Sequence, residues 1–219
     1  MTNWSVLGPQ LLTSIGETLY MVVVTMIIAG FLGLVFGVAL YVTRPGGIYA
    51  NRPLNTAINL IVNFVRPIPF IILLAALGPL TETVIGTRLG QNAAISAMTI
   101  AALFAVARIV EQNLMSVDPG VIEAARSMGV SRFRIMTTVI LPEALGPLVL
   151  GYTFLVIGVT DMSAMAGAIG AGGLGDFALR LGYQRFNDEV TWAAVAVIIV
   201  LVQTVQFVGN AMARRIMRR

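Results

Sequence analysis

A short polar segment separates two hydrophobic stretches of this chain and reads Asp118-Pro119-Gly120-Val121-Ile122-Glu123-Ala124-Ala125-Arg126-Ser127-Met128-Gly129. Asp118 is suited to accept hydrogen bonds from the free N–H groups of a first helical turn, and Pro119 suits the first helical position, where no N–H is needed. Gly129 tolerates the left-handed conformation that ends many helices. The segment therefore predicts a short capped helix outside the bilayer, where we expect it to dock another protein.

The composition of the 219 residues is that of an integral membrane protein. Hydrophobic residues make up 58% of the chain and charged residues only 11%, far from the values of soluble domains. All fourteen basic residues are arginine, and the chain has no lysine, histidine or cysteine. These absences exclude a lysine Schiff base, a histidine general base, a disulfide and a thiolate or imidazole metal site. A phosphate-binding loop also needs lysine, so we predict that the chain is not an enzyme, binds no cofactor or metal itself, and relies on a separate subunit if ATP drives it.

Five stretches approach or reach the length of about 20 apolar residues that a membrane-spanning helix needs. They run roughly over Ile15 to Val42, Ala57 to Leu80, Ala93 to Val110, Leu145 to Ile169 and Val190 to Met212. The predicted fold is therefore an all-α polytopic membrane protein with five transmembrane helices, forming a single domain over residues 1–219.

Prolines interrupt the second stretch at Arg66-Pro67-Ile68-Pro69. Proline lacks a backbone donor and kinks a helix that it cannot end. We therefore expect a helix from Pro53 to Val65 that enters from the cytoplasmic side and bends at the prolines. Two roles stay open for Arg66: contact with carbonyls at the membrane interface, and gating.

The arginines predict the orientation, because positively charged loops stay in the cytoplasm. Most of them follow the first, third and fifth stretches: Arg44, Arg52, Arg126, Arg132, Arg134, Arg214, Arg215, Arg218 and Arg219. We therefore expect the N-terminus outside, the C-terminus in the cytoplasm, and the capped helix in the cytoplasm between the third and fourth spans. The N-terminal tail lacks the basic start of a signal peptide, so the first span should be retained.

Glycines recur in two places. In the first span, Gly30, Gly33 and Gly37 form a small-residue stripe, for which packing inside the bundle is favoured over a dimer seam. After the fourth span, Gly170, Gly172 and Gly175 have the spacing of a dinucleotide-binding fingerprint, but that motif needs a strand before it and a helix after it. A tight turn at the outer mouth of the bundle is the preferred interpretation.

Asp161 is the one acidic residue well inside a predicted span. A carboxylate there costs about 2.5 to 3.5 kcal/mol, so it should face the bundle interior, water or a partner. A place on the transport route is favoured over a purely structural hydrogen-bonded carboxylate. The candidates for the translocation pathway are Asp161, Met162, Ser163, Met165, Arg66, Pro67 and Pro69.

Two other charged positions are interpreted structurally. Arg108 and Glu111 stand three residues apart at the cytoplasmic end of the third span and should form a local ion pair. Glu17, at the outer end of the first span, is interpreted as a solvated boundary residue.

Several segments resemble the permeases of binding-protein-dependent ABC importers. Glu123-Ala124-Ala125, Gly129 and Leu141-Pro142 match the cytoplasmic EAA loop of that superfamily, with Val139 where isoleucine is usual. The resemblance extends over nearly the whole chain and is closest to methionine importer permeases, as at 40–46, 66–74, 163–167 and 182–186. Asp161 departs from the family pattern, in which a neutral residue is expected.

The resemblance implies a type I ABC importer permease fold and a homodimer in the bacterial inner membrane. The implied partners are two ATPase subunits, which hold ATP and Mg²⁺, and a substrate-binding lipoprotein on the outside; no nucleic acid is implied. The implied substrate is methionine, both D and L, moved by alternating access at the dimer interface. The implied ATPase-coupling residues lie in a region of about 116–142 and are Glu123, Ala124, Ala125, Gly129, Leu141 and Pro142.

Two alternatives stay open. The first is an ABC permease for another small solute such as glycine betaine, because such permeases carry a similar Gly-rich outer loop. The second is a secondary transporter or channel that works without ATP and uses Asp161 as an ion site.

Overall fold

The structure is a computed structural model that describes residues 2–217, so Arg218 and Arg219 of the predicted basic C-terminus lie outside the described residues. The chain is helical nearly throughout. Its α-helices are α1 (Trp4–Thr43), α2 (Arg52–Val65), α3 (Phe70–Ala76), α4 (Gly78–Ile85), α5 (Gln91–Met115), α6 (Pro119–Ser127), α7 (Arg132–Ile135), α8 (Leu141–Ala166), α9 (Gly173–Asp176) and α10 (Asp188–Met217).

Within residues 2–217, four helical stretches are long and apolar enough to cross a membrane. They are Trp4–Thr43, Gln91–Met115, Arg132–Ala171 and Asp188–Met217. The bundle surface between its ends carries large exposed apolar side chains such as Phe31, Phe64 and Phe154, which suit contact with lipid. The all-helical membrane fold is confirmed, whereas the predicted orientation and the single domain over 1–219 stay predictions.

The second predicted span is not continuous. Helices α2 and α3 meet at an angle of 101°, and only the bent pair together is apolar and long enough to count as a fifth span. The bend lies at residues 66–69, where Pro67 and Pro69 remove backbone donors. The predicted break after Val65 is confirmed, and the stretch from Ala57 to Leu80 is made of α2, α3 and the start of α4.

The helix that carries the fourth span is longer than that span. Helical structure is continuous from Arg132 to Ala171, so the helix begins well before Leu145, where the span is predicted to start. Residues Met136–Ile140 form a widened π-helical stretch directly before Pro142. A proline ring collides with the carbonyl four residues earlier in a regular α-helix, and the wider stretch relieves that collision without ending the helix.

The centre of the bundle is the contact between α1 and α5. A side chain at Gly33 would overlap Val106, and one at Gly37 would overlap Val110. Small residues at this spacing let two helix backbones approach closely. The glycine stripe of α1 is therefore used for packing inside the chain, as the sequence favoured.

Candidate functional site

The predicted capped helix is confirmed as α6. The Asp118 carboxylate accepts a hydrogen bond from the Gly120 N–H at 2.7 Å. At the other end Gly129 adopts a φ of 73°, and its N–H donates to the Arg126 carbonyl at 2.9 Å, while the Val130 N–H donates to the Ala125 carbonyl at 3.2 Å. These two bonds form the usual glycine-terminated helix ending, so both ends of α6 are fixed by local chemistry.

One face of α6 anchors it to the bundle. Ile122 and Ala125 are buried and pack in a cluster with Val117, Ile135 and Met136, which flank α6 along the chain. Ala125 is one of the residues implied to couple the chain to the ATPase, yet its methyl group is buried in its own chain. The buried face of α6 is therefore packed against the end of α5 and the start of the helix that carries the fourth span.

A second face of α6 is apolar and exposed, and we call it the docking stripe: Val121, Ala124, Met128 and, after the turn, Phe133. Met128 is 74% exposed and Phe133 72% exposed, and Val121 and Ala124 are also exposed. The spacing of three and four residues between the first three members places them on one side of a helix. Exposed apolar side chains on a segment outside the spans indicate a protein contact.

The remaining coupling candidates lie away from the docking stripe. Glu123 is exposed and lines a cleft on the other side of α6. Leu141 is half-buried and Pro142 exposed in the first turn of α8, where Pro142 lines a separate cavity with Asp118 and Met217. The structure thus brings Ala124 and Gly129 to the stripe or its edge and distributes the other candidates around the base of the bundle.

The pathway candidates on α8 divide between two faces. Asp161 and Met165 are exposed, in line with Phe154 and Gly158 at helical spacing; we call these four residues the α8 face. Met162 is half-buried, and Ser163 is buried and donates a hydrogen bond to the Thr160 carbonyl at 2.6 Å. Asp161 and Met165 therefore share an open surface, from which Ser163 points away.

Asp161 makes no hydrogen bond or ion pair with any residue between 2 and 217. The carboxylate was expected to face the bundle interior, water or a partner. The first of these expectations is wrong for the single chain, since Asp161 is exposed on its surface. The two environments left are water and a partner. The other pathway candidates, Arg66, Pro67 and Pro69, are exposed at the bend between α2 and α3.

The glycine-rich segment after α8 is a turn held by α1. Gly170, Gly172 and Gly173 have φ values of 90°, 80° and 79°. The Glu17 carboxylate accepts a hydrogen bond from the Gly173 N–H at 2.6 Å, and the Thr18 hydroxyl accepts one from the Leu174 N–H at 2.9 Å. The predicted tight turn is confirmed, but Glu17 is not a solvated boundary residue.

A polar network missed in the sequence joins α2 to α5. The predicted pair between Arg108 and Glu111 forms at 2.5 Å, and the Arg108 guanidinium also donates to the side-chain oxygens of Asn59 at 3.0 Å and Asn63 at 2.7 Å. Asn59 in turn donates to Asn55. The sequence feature that indicates this network is the four-residue spacing of Asn55, Asn59 and Asn63 in α2, which places the three side chains on one face of the helix.

Residues 33–219 match the sequence profile of the family described as "Binding-protein-dependent transport system inner membrane component". The chain belongs to this family. It is therefore a permease component of the inner membrane rather than an enzyme, and the predicted family and localisation are confirmed.

Individual family members match most or all of the chain. The probable D-methionine transport system permease protein MetI of Vibrio cholerae is 40% identical over 220 residues, which span 100% of this chain and 98% of that protein. The methionine import system permease protein MetP of Bacillus subtilis is 41% identical over 180 residues, or 82% of this chain and 81% of that protein.

Solved structures confirm the fold of a type I ABC importer permease. A chain of the MetNI methionine ABC transporter, crystallised in an inward-facing conformation, superposes with a TM-score of 0.93 and 40% identity and covers 99% of both chains. A chain of an amino acid ABC transporter has the same fold at a TM-score of 0.81 and 21% identity.

Proposed function

We propose that this protein is the permease subunit of an ATP-driven importer of D- and L-methionine. Two copies form the path through the inner membrane, two separate ATPase subunits bind ATP and Mg²⁺, and a substrate-binding lipoprotein delivers methionine on the outside. The observation that carries the proposal is the docking stripe on a helix with fixed ends, in a chain that matches methionine permeases along its full length.

The docking stripe explains how ATP can drive a chain that lacks a phosphate-binding lysine. The two ATPase subunits contact Val121, Ala124, Met128 and Phe133 and move together when they bind nucleotide. Ile122 and Ala125 carry that movement into the third and fourth spans because they are packed against them. Rigid movement of the spans then opens the path alternately to each side.

The α8 face supplies the surface between the two copies. A carboxylate at membrane depth is costly in lipid, and Asp161 is exposed in the single chain, so a second copy or an aqueous path must cover it. A two-fold axis along this face brings two Asp161 carboxylates and two Met165 thioethers to the path. Methionine carries an ammonium group and a thioether, which these side chains can attract and contact.

The experiment is uptake of labelled methionine into proteoliposomes that contain the chain, its ATPase and the binding protein. Uptake should require ATP inside and persist when the proton gradient is removed. Unlabelled D- and L-methionine should compete, and glycine betaine should not. Uptake that survives without ATP and stops with the proton gradient would instead identify a secondary transporter, and competition by glycine betaine alone would identify the other substrate class.

The role of Asp161 is tested in the same assay. Asp161→Asn keeps the size of the side chain and removes its charge, and we expect methionine uptake to fall about tenfold if the carboxylate attracts the ammonium group. Phe154→Leu, on the same face, is the matched control and should reduce uptake by less than twofold. Equal uptake by Asp161→Asn and the unaltered protein would remove Asp161 from the pathway.

A further inference from the structure

A second cleft lies beside α6, on the side turned away from the docking stripe. It has a volume of about 150 Å³ and is lined by the turn after α1 and by α6. We call it the basic cleft and define it by Tyr41, Arg44, Glu123 and Arg126. The proposed function assigns no ligand to it.

The charges of the basic cleft are not balanced within the chain. Arg44 is half-buried and its guanidinium carbon lies 4.3 Å from the centre of the Tyr41 ring, which fixes its direction. Within residues 2–217, neither Arg44 nor Arg126 forms an ion pair. Glu123 is the one acidic side chain that lines the cleft, so one positive charge is left over.

The cleft also contains a hydroxyl group without a partner. Tyr41 is only 2% exposed as a residue and lines the cleft, and its hydroxyl makes no hydrogen bond in the described part of the chain. The hydroxyl is therefore open to the cleft and can donate a hydrogen bond to a ligand there. Two guanidinium groups and one phenol thus offer donors to the same small space, which is the chemistry that recognises a phosphate group.

The position of the cleft suits a lipid phosphate. The sequence from Thr18 to Thr43 carries no charged residue, so Arg44 is the first charge after a stretch long enough to cross the bilayer. Arginine and tyrosine at that point lie at the level of the headgroups. Basic pockets between helices at this level are suited to anionic headgroups.

The helical geometry of α6 leaves the cleft free when the ATPase is bound. At 100° per residue, Pro119, Ile122 and Arg126 lie on the opposite side of α6 from Val121, Ala124 and Met128. An ATPase that covers the docking stripe therefore does not cover the residues of α6 that line the cleft.

We propose that the basic cleft binds the phosphate of an anionic phospholipid in the adjacent leaflet. The phosphate oxygens accept hydrogen bonds from Arg44, Arg126 and the Tyr41 hydroxyl, and Glu123 limits the site to one negative charge. A bound lipid would join the end of α1 to α6. The inference does not depend on methionine being the substrate.

The test is native mass spectrometry of the assembled transporter, exchanged into detergent with either phosphatidylglycerol or phosphatidylcholine. The unaltered complex should retain phosphatidylglycerol selectively. Retention should fall about tenfold in the double variant Arg44→Gln, Arg126→Gln and about threefold in Tyr41→Phe, which loses only the hydroxyl. Arg185→Gln, an exposed arginine outside the cleft, is the matched control and should retain lipid as the unaltered complex does.

The same series separates a lipid from other anions. Equal lipid retention by the double variant would overturn the proposal, as would displacement of the lipid by millimolar inorganic phosphate, which would identify a free-anion site. Loss of lipid when the ATPase subunits join the permease would assign the cleft to the ATPase interface and also overturn it. If the double variant does not assemble, Arg126→Lys replaces it, because it keeps the charge while losing paired donors, and it should show a smaller but measurable loss.

Discussion

The two ends of the fourth span carry turns built in opposite ways, and we name them the cytoplasmic turn and the outer turn after the orientation predicted from the sequence. The cytoplasmic turn around Gly129 is held by bonds between near neighbours, and nothing occupies the space where a side chain at Gly129 would lie. The outer turn is held by Glu17 and Thr18, each 156 residues away along the chain from its partner, and two of its glycines, Gly167 and Gly175, are packed against backbone. The cytoplasmic turn is thus a local structure that leaves its surface open, and the outer turn is a long-range contact that closes its surface.

The largest expected effect is at the outer turn, where Gly175→Ala would place a methyl group against the backbone of Ala164. Backbone cannot move aside as a side chain can, so we expect a loss of about 3 kcal/mol in the free energy of unfolding. Thermal unfolding in detergent measures it. Gly16→Ala is the control because a methyl group there meets nothing within 4 Å; equal stability of the two variants would show that the outer turn is not closely packed.

The next effect concerns the bond that holds the outer turn to α1. Glu17→Gln keeps the shape of the side chain, but its neutral amide oxygen accepts the Gly173 N–H more weakly than a carboxylate does. We expect a loss of about 2 kcal/mol in the free energy of unfolding. The same unfolding assay applies. Glu82→Gln removes a carboxylate from the exposed pair with Arg88 and should cost less than about 0.5 kcal/mol. A smaller effect for Glu17 than for Glu82 would contradict the long-range account.

At the cytoplasmic turn the effect should be smaller and local. Asp118→Ala removes the acceptor at the start of α6 and should destabilise that helix by about 1 kcal/mol. Hydrogen exchange of the α6 amides is the measurement, and faster exchange should be confined to residues 119–129. Asp118→Asn keeps an acceptor and should exchange nearly as the unaltered protein does. Faster exchange throughout the bundle would show that this turn is not local.

The smallest effect is expected on the outer surface, where Arg180 pairs with Asp176 at 2.8 Å. The hydrogen bonds to Asp176 raise the pKa of Arg180 above its usual value, and arginine is charged at every working pH even without such a shift. Because the arginine is 56% exposed, Arg180→Ala should change the stability by less than about 0.5 kcal/mol, and less still in high salt. A loss above 1 kcal/mol would mean that this exposed pair supports the turn.

The same contrast explains what could be predicted from sequence. The start and end of α6, the break after Val65 and the pairing of Arg108 with Glu111 all depend on residues within a few positions of one another, and all are confirmed. The role of Glu17 and the bonds from Arg108 to α2 depend on which helices become neighbours, which no local pattern specifies. The burial of Ala125 could have been predicted in part from the sequence, because Ala125 lies three residues after the apolar Ile122 and therefore on the same side of α6.

The docking stripe is best tested by reconstituting the chain with its ATPase and comparing ATP-driven methionine uptake by Ala124→Trp and Ser127→Ala. A tryptophan at Ala124 projects from the exposed stripe into the space that the ATPase would occupy, whereas Ser127 lies outside the stripe. We predict that Ala124→Trp lowers uptake at least about tenfold while folded protein is recovered normally, and that Ser127→Ala has little effect. Full uptake by Ala124→Trp would contradict the account that α6 transmits the movement of the ATPase.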